Sequence, residues 1–285
     1  MSETVLPVFA KSTVTPWMLA LGGESLGGDS RRIRLRLPFA PASSTEEPGA
    51  AAAIDLRAVA ALLDHAGGAA VYAALPGLKG TATLELHLDL LGKPVPGQDV
   101  HASAGCIAVD AASALVTGEA WCGGLSEPHA STPIARLSCR FIVGAGPGQR
   151  AGPEAQRLRE RTAAEHVPVP PPLVRSFGEL LGGRAQGHAF ELPPAPWRVG
   201  SIALPALHGG VVAAGLMTAA ALVAAESPGL SLRSLTVQYL RAAHVEDTRF
   251  AATVLKRGAR VAYLSAEATQ RHGERRVATL QCLYA

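Results

Sequence analysis

Leu207-His208-Gly209-Gly210-Val211-Val212-Ala213-Ala214-Gly215-Leu216-Met217 opens a run that stays apolar through Val223 or Ala225. A helix made from it has no polar face, so other structure must wrap it. The run starts His-Gly-Gly, where glycines without a Cβ let another group approach the free N–H donors of the first turn. A second stretch of the same kind is Asp55-Leu56-Arg57-Ala58-Val59-Ala60-Ala61-Leu62-Leu63-Asp64. The two differ at the positions capable of chemistry: Asp55 stands against His208, and Asp64 against Met217.

Working outward, the surroundings recur as well. A short helix begins near Thr15-Pro16-Trp17 and is read as ending at Leu26-Gly27-Gly28; another begins near Pro172 and ends at Leu181-Gly182-Gly183. Strands follow at Arg31–Pro38 and His188–Pro193. After the apolar helices come alternating strands, Thr83–Leu90 and Ser231–Leu240, whose period of two marks one buried and one polar face. Thr83 falls opposite Ser231 in this register. Leu115–Ala120 then pairs with Tyr263–Ala268, and Ala135–Phe141 with Ala278–Tyr284. So ordered a series is an internal repeat. Each copy runs short helix, strand, long buried helix, four strands, an order satisfied by an antiparallel sheet curled around one helix, an α+β architecture. The expected organisation is 11–144 for the first copy, 145–171 for a linker rich in Gly, Pro and charge, and 172–285 for the second. A polar surface helix is expected at 153–165.

Composition narrows the function. Hydrophobic residues make up 48% of the 285, enough for a large core, and the net charge of +3 is scattered without a basic run. With aromatics at 5%, that argues against a nucleic-acid partner. The four cysteines show neither CxxC nor metal-ligand spacing, so no metal site is expected and they read as reduced thiols. The N-terminus lacks the layout of a signal peptide, and the longest uncharged apolar run is shorter than the ~18–20 residues of a span. The expectation is a cytoplasmic chain without membrane attachment.

His-Gly-Gly at a helix start, an Asp nine positions later and a Ser/Thr on the next strand are the residues through which the chain resembles the hotdog-fold acyl-CoA thioesterases of the phenylacetyl-CoA and 4-hydroxybenzoyl-CoA type, in a tandem, double-hotdog arrangement. The resemblance implies an acyl-CoA substrate, no cofactor other than the coenzyme A it carries, sites formed between two hotdogs, and association into homo-oligomers. Here the motif is split. The second copy keeps His208-Gly209-Gly210 but has Met217 in place of the Asp; the first keeps Asp64 but has Asp55 in place of the His and Leu56-Arg57 in place of the glycines.

Nine helical residues span about 13.5 Å, too far for a His and an Asp on one helix to reach the same atom. Two antiparallel helices bring the start of one beside the middle of the other. His208 and Gly209 with Asp64 then make one intact composite site, and Asp55 with Met217 one dead site. In that site the Gly209 N–H, with Gly210, stabilises an oxyanion. Asp64 is nucleophile or general base. Thr83 orients Asp64 or a water, and His208 positions the carbonyl or fixes the helix start. His65, about 100° around the helix from Asp64, is structural or supports the site. Arg257 and Arg260, in the basic turn Lys256-Arg257-Gly258-Ala259-Arg260, are candidates for the coenzyme A phosphates or simply a basic turn. Ala66-Gly67-Gly68-Ala69 either leaves room for a bulky acyl group or lets the helix pack closely. The competing functions are a non-catalytic acyl-CoA-binding protein and an enoyl-CoA hydratase. The second is disfavoured because neither helix starts with an Asp-x-x-x-x-His pair.

Overall fold

Two long helices with almost no polar surface need a continuous cover, and the sheet supplies it. A computed structural model describes residues 15–45, 51–78, 80–124, 132–143, 174–201 and 204–285. The expected linker, its polar helix and the first residues of the 11–144 segment lie outside the described residues.

The first half runs α1 (Pro16–Leu21), β1 (Glu24–Gly28), β2 (Ile33–Leu37), α2 (Leu56–Ala74), β3 (Thr81–Leu90), β4 (Val100–Val109), β5 (Ser113–Cys122) and β6 (Thr132–Val143). The second runs α3 (Phe177–Leu181), β7 (Arg184–Gln186), β8 (Ala189–Leu192), β9 (Val199–Ser201), β10 (Leu204–Leu207), α4 (Gly209–Ala224), β11 (Leu232–Tyr239), β12 (Thr248–Arg257), β13 (Ala262–Gln270) and β14 (Arg275–Tyr284). Twelve strands form one antiparallel sheet in the order β1-β2-β4-β5-β6-β3-β11-β14-β13-β12-β8-β7, with β9 and β10 as a separate hairpin. The halves join at β3 and β11, where Leu86 pairs with Val237 and Leu88 with Leu235. No helix among the described residues is long and apolar enough to cross a membrane.

Both long helices are set by their N-caps. Asp55 accepts from the Arg57 N–H and His208 Nδ1 from the Gly210 N–H, each two residues on. Small residues on α2 and α4 let bulky side chains from the sheet come close. A Cβ on Gly67 would lie 2.8 Å from the Phe141 ring, and one on Gly215 only 2.4 Å from Phe250. Phe141 therefore fills the space over Gly67, so close packing accounts for the small residues after Asp64.

Two details of the repeat reading change. The first short helix ends at Leu21-Gly22-Gly23, with Gly22 in the left-handed region at φ 76°, and Glu24–Gly28 is a strand. The first half offers two Leu-Gly-Gly triplets, and the earlier one is the helix terminator. The strand register also moves by one. Leu86, Leu88 and Leu90 on β3 and Leu235, Val237 and Tyr239 on β11 point inward, and the ladders are interrupted between Thr83 and Glu85 and between Leu232 and Ser234. Thr83 therefore falls opposite Leu232 instead of Ser231, since a one-residue slip exchanges the faces of a strand.

At the start of α2, Arg57 takes the place of a glycine and ties the two helices together. Its Nε and Nη2 lie 2.9 and 2.6 Å from the Asp55 carboxylate, and Nη1 donates to Thr218 Oγ1 on α4 at 2.9 Å. The guanidinium sits 5.2 Å from the centre of the Phe177 ring, which meets Trp17 edge-on. Removing Arg57 leaves the Asp55 charge buried without its partner. Arg57→Ala is expected to lower the unfolding free energy by about 2–3 kcal/mol, the penalty for an orphaned, mostly buried charge. The check is a urea midpoint at unchanged slope; a loss below about 0.5 kcal/mol, typical of an exposed pair, would show that the pair holds nothing.

Candidate active site

Asp64 lies nine residues into α2 and meets the first turn of α4; Arg57, at the start of α2, meets Thr218 well along α4. Start meets middle in both directions, so the helices run antiparallel. That brings Asp64 Oδ2 to 3.3 Å from His208 Nδ1. Its other oxygen, Oδ1, accepts from Thr83 Oγ1 at 2.8 Å. The carboxylate also lies directly on the Gly209 Cα: a Cβ there would sit 2.7 Å from Oδ2 and 3.0 Å from Oδ1. Only glycine fits. Gly210 is required for a different reason, because a Cβ would come within 2.5 Å of the Ala61 Cα on the facing helix.

The donors of the first turn of α4 can be accounted for one by one. The Val211 and Val212 N–H groups both donate to the His208 carbonyl, at 2.9 and 3.2 Å. The Gly210 N–H donates to His208 Nδ1 at 2.9 Å and also reaches Asp64. The Gly209 N–H has no acceptor among the described residues. One backbone donor is thus left open at the positive end of a 16-residue helix, beside a carboxylate. His208 itself is fixed by its own N–H, which donates to the Arg198 carbonyl at 2.8 Å.

Charge states follow from burial. Asp64 is 4% exposed and His208 6%. Burial pushes the Asp64 carboxyl up to about 6, against the Thr83 and Gly210 hydrogen bonds that favour its charged form. Burial pushes His208 down to about 4. At neutral pH the two are a carboxylate and a neutral imidazole, not an ion pair. Because Nδ1 accepts from Gly210, the ring proton belongs on Nε2. Nδ1 and Oδ2 are then two acceptors held at 3.3 Å by the amide they share.

Other groups close the site. The His65 ring lies 5.8 Å from that of His208. Cys139 Sγ donates to the Glu85 carbonyl at 2.9 Å, and burial holds its thiol well above the ordinary value, so it stays protonated. Tyr239, which the sequence reading passed over, donates its hydroxyl to the Gly209 carbonyl at 3.0 Å. Its signal was the inward register of β11, visible only once the alignment shifts by one.

The structure therefore brings Asp64, Thr83, His208, Gly209 and Gly210 together. Arg257 and Arg260 lie elsewhere. Arg257 donates to Glu226 and to the Val223 carbonyl near the far end of α4, fourteen residues and about 21 Å along the helix from Gly209. Arg260 is exposed in the turn after β12. At the other junction of α2 and α4, Met217 is buried and Asp55 pairs with Arg57. A concavity of about 420 Å³ lined by Arg32, Arg34, Glu119, Trp121 and Arg136 shares no residue with the Asp64 cluster. No cluster of His, Cys, Asp or Glu among the described residues is arranged to hold a metal ion.

Residues 193–285, which include α4, its glycines and Tyr239, match the model of the acyl-CoA thioesterase N-terminal domain. The match spans 93 of the 285 residues. Among solved structures, the chain is similar to a protein from Novosphingobium aromaticivorans described as a thioesterase, at 11% identity over 91% of this chain and 97% of that one, with a TM-score of 0.60. It is similar to the tesB protein of Mycobacterium avium subsp. paratuberculosis, at 15% identity over 94% and 96% of the two chains and a TM-score of 0.55. A hot dog fold protein from Alicyclobacillus acidocaldarius matches at 14% identity over 98% of both chains, with a TM-score of 0.52. At these identities the likeness is one of fold. No curated protein sequence matches significantly. The matched model is described as an acyl-CoA thioesterase domain, and its description names no acyl group.

Proposed function

We propose that the protein hydrolyses acyl-CoA at one composite site per chain, built between the two halves of a double hotdog with α2 and α4 as its central helices. The observation that carries this reading is the Asp64 carboxylate of the first half lying on Gly209 of the second, next to an uncommitted amide N–H. The thioester carbonyl oxygen accepts from the Gly209 N–H, where the helix start stabilises the charge that develops on it. Asp64 takes a proton from a water that attacks the carbonyl carbon. The C–S bond then breaks, the electron pair leaves on sulfur, and the thiolate is protonated to give free coenzyme A and the carboxylic acid. A carboxylate with a pKa of about 6 suits this role, being charged at neutral pH yet basic enough to accept the proton. Thr83 holds one oxygen so that the other faces the water, and neutral His208 keeps the helix start in place.

The second junction of the same two helices is closed. The Asp55–Arg57 pair and Met217 stand where a carbonyl, open amides and a base would be needed. The test is thiol release from a panel of acyl-CoA thioesters as a function of pH. The expected profile rises through an apparent pKa near 6, because hydrolysis requires ionised Asp64. Met217→Leu, at the closed junction, is expected to stay within about twofold of the parent, as a volume-conserving swap away from the reacting atoms. Binding of the thioesters without release of thiol, or a strong loss in Met217→Leu, would contradict the proposal.

A further inference from the structure

We infer that Tyr239 is a positioning residue for the hydrolysis: its phenol clamps the Gly209–Gly210 peptide, so that the Gly210 N–H stays on Asp64 and His208 while the neighbouring Gly209 N–H stays open. The inference rests on the proposed reaction at this site and adds a group from β11 to it.

The peptide between Gly209 and Gly210 is held at both ends. Its carbonyl accepts from Tyr239 Oη at 3.0 Å. Its N–H donates to His208 Nδ1 at 2.9 Å and reaches Asp64. A glycine pair has the widest backbone freedom of any dipeptide, so in the first turn of a helix a contact from outside adds a constraint that the residues themselves do not supply. The phenol supplies one. Hydrogen bonds in a chain also polarise one another. A donor on the carbonyl makes the N–H of the same peptide a stronger donor, and that N–H is one of the two groups holding Asp64 in its charged form.

The phenol keeps the proton that it donates. Burial, Asp64 and Cys139 hold its ionisation well above the ordinary value, so it keeps its proton at any working pH. Its placement follows the site. Tyr239 ends the inward row Leu235, Val237, Tyr239 on the half that carries the glycines; the corresponding inward residue of β3 is Leu90. The half with Arg57 in place of Gly210 has no glycine pair there to clamp. The titratable groups around Asp64 are His65 on its own helix, His208 before α4, Cys139 on β6 and Tyr239 on β11.

Tyr239→Phe keeps the ring and removes the donor. It is expected to lower kcat about 3- to 10-fold, the range of one neutral hydrogen bond, with KM changed less than about twofold. It is also expected to move the acid limb of the pH profile upward, because a weaker Gly210 donor stabilises the Asp64 carboxylate less. Thermal unfolding verifies that the variant is folded. An unchanged kcat, or a lower kcat with the acid limb in its original place, would overturn the inference, since a purely structural tyrosine would not shift that limb. A readout independent of turnover is the Asp64 carboxyl titration, followed by carbon NMR in protein labelled at aspartate and identified with Asp64→Asn. An Asp64 pKa equal in Tyr239→Phe and parent would overturn the inference even in a chain that fails to hydrolyse thioesters, whereas failure of hydrolysis alone would overturn the proposed reaction.

Discussion

Asp64→Asn is expected to lower thioester hydrolysis about 10³-fold, within the range assigned to a positioned acid–base group, and at the same time to make the protein more stable. The first effect follows because the amide cannot take a proton from water. The second follows from linkage. The Asp64 carboxyl titrates at about 6 when folded and 3.8 in the reference state, so the folded protein binds this proton more tightly. Stability from this group is fully present below pH 3.8 and is lost as pH rises through 6. At pH 7 the buried charge costs about 3 kcal/mol, taking two units at ~1.4 kcal/mol each. Asparagine keeps the bond from Thr83 and removes the charge. Thermal unfolding of parent and variant is expected to differ by several degrees at pH 7 and to converge near pH 4. His208, pushed down to about 4, acts in the opposite sense between its two pKa values, so the comparison must be between proteins at each pH. An active variant would remove Asp64 from the mechanism, and one less stable at neutral pH would contradict the cost of burying its charge.

Gly209→Ala is expected to cost at least about 100-fold in kcat/KM, the scale associated with misplacing a catalytic group by about 1 Å. The added methyl would lie 2.7 Å from Asp64 Oδ2 and 3.1 Å from its Cγ, so the carboxylate must move. Stability should change little, because alanine suits the first turn of a helix better than glycine does. Gly210→Ala separates the two roles. Its methyl meets the Ala61 backbone at 2.5 Å, pushing α4 off α2, and this variant should lose stability as well as activity. The assays are thiol release and urea unfolding on both variants. Retention of more than a tenth of the parent activity in Gly209→Ala would mean that the carboxylate does not work from where it sits.

Much of this was legible from residue types and spacing. The two apolar helices show themselves by lacking a polar face, and the nine-residue interval between His and Asp demands a site shared by two helices. Asp64, Thr83, His208 and the two glycines do converge. What stayed hidden depended on register and partners. Two Leu-Gly-Gly triplets compete in the first half, and only the φ of Gly22 shows which one ends the helix. Strand alternation is tolerant of a one-residue slip in the pairing of distant segments, and that slip hid Tyr239. Loss of the glycines at Leu56-Arg57 was readable, yet not that the arginine would pair with Asp55 and reach across to Thr218. A basic turn likewise says nothing about its acid: Arg257 had Glu226 and the end of α4 to engage it.

The most direct measurement is a crystal structure of the protein with a ketone-linked analogue of acyl-CoA, in which a methylene replaces the thioester sulfur. The account predicts one analogue per chain, its carbonyl oxygen about 3 Å from the Gly209 nitrogen, and the Asp64 carboxylate within reach of the carbonyl carbon through one water. A carbonyl seated away from Gly209, or a second analogue bound between Asp55 and Met217, would contradict it.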